Sequence, residues 1–135
     1  MRFLALPLLL ALAFSAADKP KAPKIAVKAS PALAISPARV VVTADITGGP
    51  NDFEDFYCAA VEWEWGDETR SNQSADCEPY VPGKSEMKRH FTADHVFRTA
   101  GDYRVRFHLK KKDKTIATAT TTLRIQPGLG DPGGY

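Results

Sequence analysis

Three histidines, two cysteines and a scatter of carboxylates are the side chains with which this 135-residue chain could do chemistry. Metal binding through imidazole ordinarily shows as a His-x-His or His-x-x-x-His spacing, which sets two rings on one face of a strand or helix. His90, His95 and His108 have neither spacing. Cys58 and Cys77 have no suitably placed histidine to complete a zinc site, so they are read as redox partners of each other. No nucleophile, base and orienting group can be picked out together, and the reading is therefore non-enzymatic, with no cofactor required.

These residues must be held by strands. No stretch shows a convincing helical period, whereas several show a period near two. Strands are expected over Ile25 to Ala29, Arg39 to Thr47, Ala59 to Trp65, Met87 to Phe97, Asp102 to Lys110 and Lys114 to Gln126. Val40, Val42, Ala44 and Ile46 alternate inward on the second of these, and Val61, Trp63 and Trp65 on the third, with Glu62 and Glu64 outward. Ser30-Pro31 and Ser36-Pro37 are breaks. Short strands separated by turn signals imply an all-β sandwich or barrel.

Around this domain, assigned to 25–126, lie three other segments. Residues 1–17 carry Arg2, an apolar run from Phe3 to Phe14 and then Ser15-Ala16-Ala17, the pattern of a secretory signal peptide cleaved before Asp18. The run is too short to span a bilayer, which takes about 20 apolar residues, and no membrane insertion of the mature chain is expected. Residues 18–24 read as a leader, and 127–135 as a flexible Gly/Pro tail. Export to a periplasm or the extracellular space follows, and in such a compartment a disulfide between Cys58 and Cys77 is the default. A net charge of +2 is close to neutral and gives no support to nucleic-acid binding.

Two motifs then stand out, VEWEWGDE (Val61 to Glu68) and HVFRTAGDYRVRF (His95 to Phe107). Together they resemble the PKD (polycystic kidney disease) domain, whose pattern is Y-x-W-x-F-G-D-G, then H-x-Y, then G-x-Y-x-V-x-L. Trp63, Gly66, Asp67, His95, Gly101, Tyr103 and Val105 match it; Trp65 and Phe97 are aromatic replacements; Val61, Glu68 and Ala100 depart from it. The resemblance spans roughly Ile25 to Ile125 and implies an immunoglobulin-like two-sheet sandwich of about seven strands. On that frame Trp63 fills the core, Gly101 allows a sharp turn into the next strand, and Tyr103 sits where sandwiches place a corner tyrosine bonded back to the preceding turn. Some PKD domains bind calcium, which makes Asp67 a weak calcium candidate, with Asp52, Glu54, Asp55 and Glu68 on loops; calcium needs six to eight converging oxygens. The family also places the strand from Asp102 beside that from Ala59. Glu62 and Glu64 would then pair with Arg104 and Arg106, leaving Lys110, Lys111, Lys112 and Lys114 as a solvated turn.

A two-residue hairpin through Gly66, Asp67, Glu68 and Thr69 would pair positions whose numbers add to 135, and Cys58 and Cys77 would face each other across it. That bond brings Asn51 to Tyr57 against Glu78 to Pro82. Phe53, Phe56, Tyr57 and Tyr80 would gather at one end of the sandwich, as a binding patch or as a cap on the core. The function expected is a binding or spacer module for an unknown protein or glycan at the cell surface, with a secreted inhibitor presenting a disulfide-pinned loop to a hydrolase as the alternative.

Overall fold

The computed structural model describes residues 22–129. The expected signal segment, its cleavage site and residues 130–135 of the expected tail lie outside the described residues. Eight strands form: β1 (Lys24–Ser30), β2 (Leu33–Ile35), β3 (Ala38–Thr47), β4 (Ala60–Glu64), β5 (Arg70–Gln73), β6 (His90–Phe97), β7 (Gly101–Lys111) and β8 (Lys114–Gln126). They make a three-stranded sheet in the order β1-β3-β6 and a five-stranded sheet in the order β2-β8-β7-β4-β5. All neighbours run antiparallel except β2, which lies parallel to β8.

The alternation in sequence accounts for most of this. In β3 the β-branched run places Val40, Val42 and Ala44 fully inside and Ile46 nearly so, with Val41 and Asp45 exposed. In β7, Val105, Phe107 and Leu109 are fully buried while Arg104 and Arg106 face solvent. A one-residue slip would put those arginines into the core, so register here is strongly specified.

Two elements, β2 and β5, add to the six strands read from periodicity, one more than the seven or so that the family resemblance implies. Between the Ser-Pro breaks the chain leaves the three-stranded sheet, and β2 adds to the edge of the other sheet, with the Ser36 amide donating to the Gln126 carbonyl at 3.0 Å. β5 is polar along its length (Arg-Ser-Asn-Gln) and shows no apolar alternation, which hid it from periodicity. Its pairing with β4 corrects the hairpin register. Glu64 faces Arg70 and Val61 faces Gln73, so paired numbers add to 134, and the Trp65 amide bonds the Thr69 carbonyl around a three-residue loop. Glu68 takes up the left-handed conformation in that loop, φ 70°. The β7 to β8 turn likewise places Lys112 and Asp113 at φ 52° and 62°.

Between the sheets an aromatic column runs from Phe91 through Phe107, Trp63 and Trp65 to His95. Trp63 and Trp65 stack with centroids 5.7 Å apart and planes 10° from parallel, and Phe107 leans on Trp63 at 4.9 Å. Both indoles are fully buried. Trp65 Nε1 donates to Ser71 Oγ at 2.8 Å, which satisfies its one polar group. Residues 74–89 connect β5 to β6 without regular structure. They are tied down by Met87, which is buried and whose amide donates to the Asn51 carbonyl at 2.8 Å.

Candidate functional site

The motif residues assemble at one corner and serve structure. Gly66 has φ 86°, and a Cβ there would stand 2.7 Å from the Arg104 carbonyl oxygen, so only glycine fits without a shift. The Asp67 carboxylate accepts from the Thr69 amide (3.1 Å) and the Thr69 hydroxyl through Oδ1, and Oδ2 meets His95 Nε2 at 2.7 Å. Burial by itself would raise the Asp67 pKa, but the hydrogen bonds from His95 and from the Thr69 hydroxyl and amide together outweigh it and hold the carboxyl below the usual aspartate value. Both Asp67 oxygens are thus engaged within the chain.

Gly101 plays a different part from the one expected. It begins β7 with no left-handed φ, and its missing side chain makes room for the Tyr103 ring, 3.3 Å from where a Cβ would sit. The Tyr103 hydroxyl donates to the Thr99 carbonyl at 2.7 Å, a tyrosine corner.

On the outer face of the five-stranded sheet, Glu62 is opposite His108 and Glu64 opposite Arg106. Glu62 does point away from the core, but it is only 7% exposed, which corrects its expected wet position. Lys110 (2.8 Å) and Arg70 (3.3 Å) cover it, and the Lys110 hydrogen bond is the main reason its pKa is held below the ordinary glutamate value. Glu64 faces Arg70, Arg106 and His108 at 3.4 to 3.5 Å. Arg106 is paired as expected, whereas Arg104 lies opposite Thr122, beyond the end of β4.

The ligand atoms of Glu62, Glu64 and His108 lie within 4.8 Å of one another, a grouping that could hold a metal ion. Arg70, Arg106 and Lys110 already neutralise its two carboxylates, so an incoming cation would have to displace them. The only sequence signal for this cluster is a Glu-x-Glu facing a histidine on another strand, which has no meaning until the β4 to β7 register is known.

The third locality is the loop end. Cys58 and Cys77 are bonded, with Cα atoms 6.0 Å apart. They do not face each other in a ladder: β4 and β5 stop pairing at Val61 and Gln73, and Cys58 takes a left-handed φ of 55° that swings the chain out of line with β4. Of the four expected patch residues, Phe56 is buried (8% exposed) and Phe53 packs against it edge-on at 5.1 Å, so these two belong to the core. Tyr57 and Tyr80 stay at the surface, half-buried, with ring centroids 5.4 Å apart and planes tilted by 56°.

Each tyrosine hydroxyl is anchored on the opposite segment. Tyr57 donates to the Glu78 carbonyl, and Tyr80 donates to the Asp52 carbonyl at 2.5 Å. The Asp52 carboxylate in turn accepts from the Gly83 amide at 2.9 Å. Burial, then the negative charges of Asp52 and Glu54, raise the Tyr80 phenol above its usual pKa. Arg89 braces the same end from beneath, donating to the carbonyls of Ile46, Gly48 and Gly49 and to Asn51 Oδ1 at 2.9 to 3.3 Å. Sequence reasoning missed this arginine, because its acceptors are backbone carbonyls that no side-chain motif announces.

No protein-family model and no curated protein matches the sequence. Among solved structures, the chain is similar to the PKD domain of an M14-like peptidase from Thermoplasmatales archaeon SCGC AB-540-F20, with a TM-score of 0.51 and 17% sequence identity over 81% of this chain and 98% of that one. At that identity the likeness speaks for the fold. The chain is a PKD-type, immunoglobulin-like β-sandwich.

Proposed function

We propose that this protein is an exported, non-enzymatic PKD-type module that binds a protein or carbohydrate partner at the cell envelope or in secretions through the end carrying Tyr57 and Tyr80. The observation that carries this reading is the tyrosine pair itself. Two aromatic side chains from segments far apart in sequence meet at 5.4 Å, half-exposed, on a loop held by a disulfide and by both of their hydroxyls. Rigid aromatics displayed on a braced loop lose little entropy on binding.

The placement of the histidines supports a non-catalytic role. His95 is stacked and bonded inside the motif corner, His108 Nδ1 is 2.8 Å from Thr118 Oγ1, and His90 pairs with Asp45 on the outer face of the other sheet. They lie on separate surfaces, and the hydroxyls beside His95 and His108, Thr69 Oγ1 at 3.4 Å and Thr118 Oγ1 at 2.8 Å, belong to different localities. The apolar run Phe3 to Phe14 and the disulfide support export. No helix among the described residues is long and apolar enough to cross a membrane.

The inhibitor alternative is weaker. Residues Val81 to Ser85 close into a tight turn, with the Lys84 and Ser85 amides both bonded to the Val81 carbonyl, and a segment threading a hydrolase cleft would need to be extended.

The test is capture from the native secretome with the wild-type protein and the Tyr57→Ser/Tyr80→Ser variant. Loss of the partner with a melting temperature within about 3 °C of wild type is expected. Undiminished capture, or a variant that unfolds, overturns the assignment of this surface. Mass spectrometry of the native protein tests export, which a chain beginning at Met1 would contradict.

A further inference from the structure

The charge around the tyrosine pair says what kind of partner fits it. Asn51 to Tyr57 and Ser74 to Glu86 together contain six carboxylates (Asp52, Glu54, Asp55, Asp76, Glu78 and Glu86) and a single lysine, Lys84, in a chain whose net charge is +2. The rest of the chain is therefore basic, and negative charge is gathered at this end. None of the six makes an ion pair among the described residues, whereas Asp45, Glu62, Glu64, Asp67, Asp94 and Asp102 each face an arginine, lysine or histidine. Among the described residues the Asp52 carboxylate bonds only the neutral Gly83 amide. Two further cations reach this end, and neither meets a carboxylate: Lys111 from β7 bonds the Glu54 carbonyl at 2.7 Å, and Arg89 bonds backbone carbonyls and Asn51 Oδ1.

Unpaired carboxylates on two pinned segments produce a focused negative potential, and the faces of the two phenol rings add to it through their quadrupoles. The geometry favours a cation over a sugar. The rings, 5.4 Å apart and tilted by 56°, present two differently inclined faces over which guanidinium or ammonium groups can lie, whereas a sugar ring stacks best on a flat platform.

We propose that the surface formed by Tyr57 and Tyr80, with its acidic rim, receives a basic peptide segment of a partner protein, arginine or lysine head groups lying over the rings and its remaining cations among the unpaired carboxylates. This rests on the reading of the tyrosine end as the binding surface and narrows it from protein or glycan to a basic polypeptide.

The protein is titrated with octa-arginine, octa-glutamate and the neutral sugar chitohexaose while the ring resonances of Tyr57 and Tyr80 are followed by NMR at low salt. Octa-arginine should move both sets of resonances, and the other two probes should leave them in place. Tyr57→Ser/Tyr80→Ser leaves the charge unaltered, and should weaken octa-arginine binding by about five-fold or more. Glu54→Gln/Asp55→Asn/Glu78→Gln should weaken it by about ten-fold or more. Tyr57→Phe/Tyr80→Phe keeps the rings while removing their hydroxyl anchors, and should bind within about two-fold of wild type. Octa-arginine binding that ignores both the ring-free variant and the variant with three carboxylates neutralised overturns the inference. Chitohexaose moving the rings while octa-arginine does not also overturns it, but leaves the proposed function standing. No probe moving the rings, together with partner capture by the ring-free variant, overturns both.

Discussion

The imidazole of His95 lies flat on the indole of Trp65, ring centroids 4.6 Å apart and planes 7° from parallel, while its Nε2 meets the Asp67 carboxylate at 2.7 Å. One side chain thus joins the aromatic column to the polar loop after β4, and this makes the corner sensitive to acid. Because the Asp67 pKa is lowered in the folded state, the stability it contributes is complete above the ordinary aspartate pKa and is lost as pH falls through the folded value. Thermal melts of the wild type should fall as pH drops below about 4. Asp67→Asn should start lower at pH 7 and show a flatter acid limb, the part that remains arising from Glu62 and Asp102, whose pKa values are lowered too. Parallel acid limbs in the two proteins would remove Asp67 from the account.

Trp63→Ala should destabilise the domain by about 3 to 5 kcal/mol, because the indole is fully buried between Trp65 and Phe107 and its removal leaves a cavity that the packed sheets close only in part. Glu62→Ala should cost about 1 to 2 kcal/mol, more than an exposed carboxylate would, since Lys110 and Arg70 lose a covered partner, though both can regain water. Chemical denaturation of the two variants checks the order; equal losses would mean that the two faces of β4 are misassigned.

Gly66→Ala should cost more than about 1 kcal/mol, although it adds one methyl group at an exposed position. The methyl would meet the Arg104 carbonyl at 2.7 Å, and the backbone there is left-handed. A melting temperature equal to wild type would show that the loop after β4 can relax away from β7.

Removing the disulfide as Cys58→Ser/Cys77→Ser frees a loop whose ends are 19 residues apart, worth about 3 kcal/mol in the chain-entropy model. The contact between Tyr57 and Tyr80 should loosen with it, seen as a fall in the near-UV circular dichroism of tyrosine. An unchanged tyrosine signal would mean that the two hydroxyl anchors suffice to hold the pair.

Alternation along β3, β4 and β7 was legible in the sequence and determined which side chains face the core, because a strand's period of two is a local property of the backbone. The family pattern from Trp63 to Val105 carried the sandwich architecture, and with only two cysteines the disulfide had one possible pairing. Tertiary structure decided what local pattern leaves open. Alternation could say that Glu62 points outward, but not that Lys110 and Arg70 would close over it. The hairpin register turned on a single loop residue, Glu68, held at positive φ. Phe56 and Tyr57 are neighbours in sequence, yet the first entered the core and the second stayed at the surface facing Tyr80. Such outcomes depend on contacts between segments tens of residues apart, whose energies exist only once the sheets have packed, and for that reason the sequence outlined the scaffold while the chemistry of its tyrosine end appeared only in three dimensions.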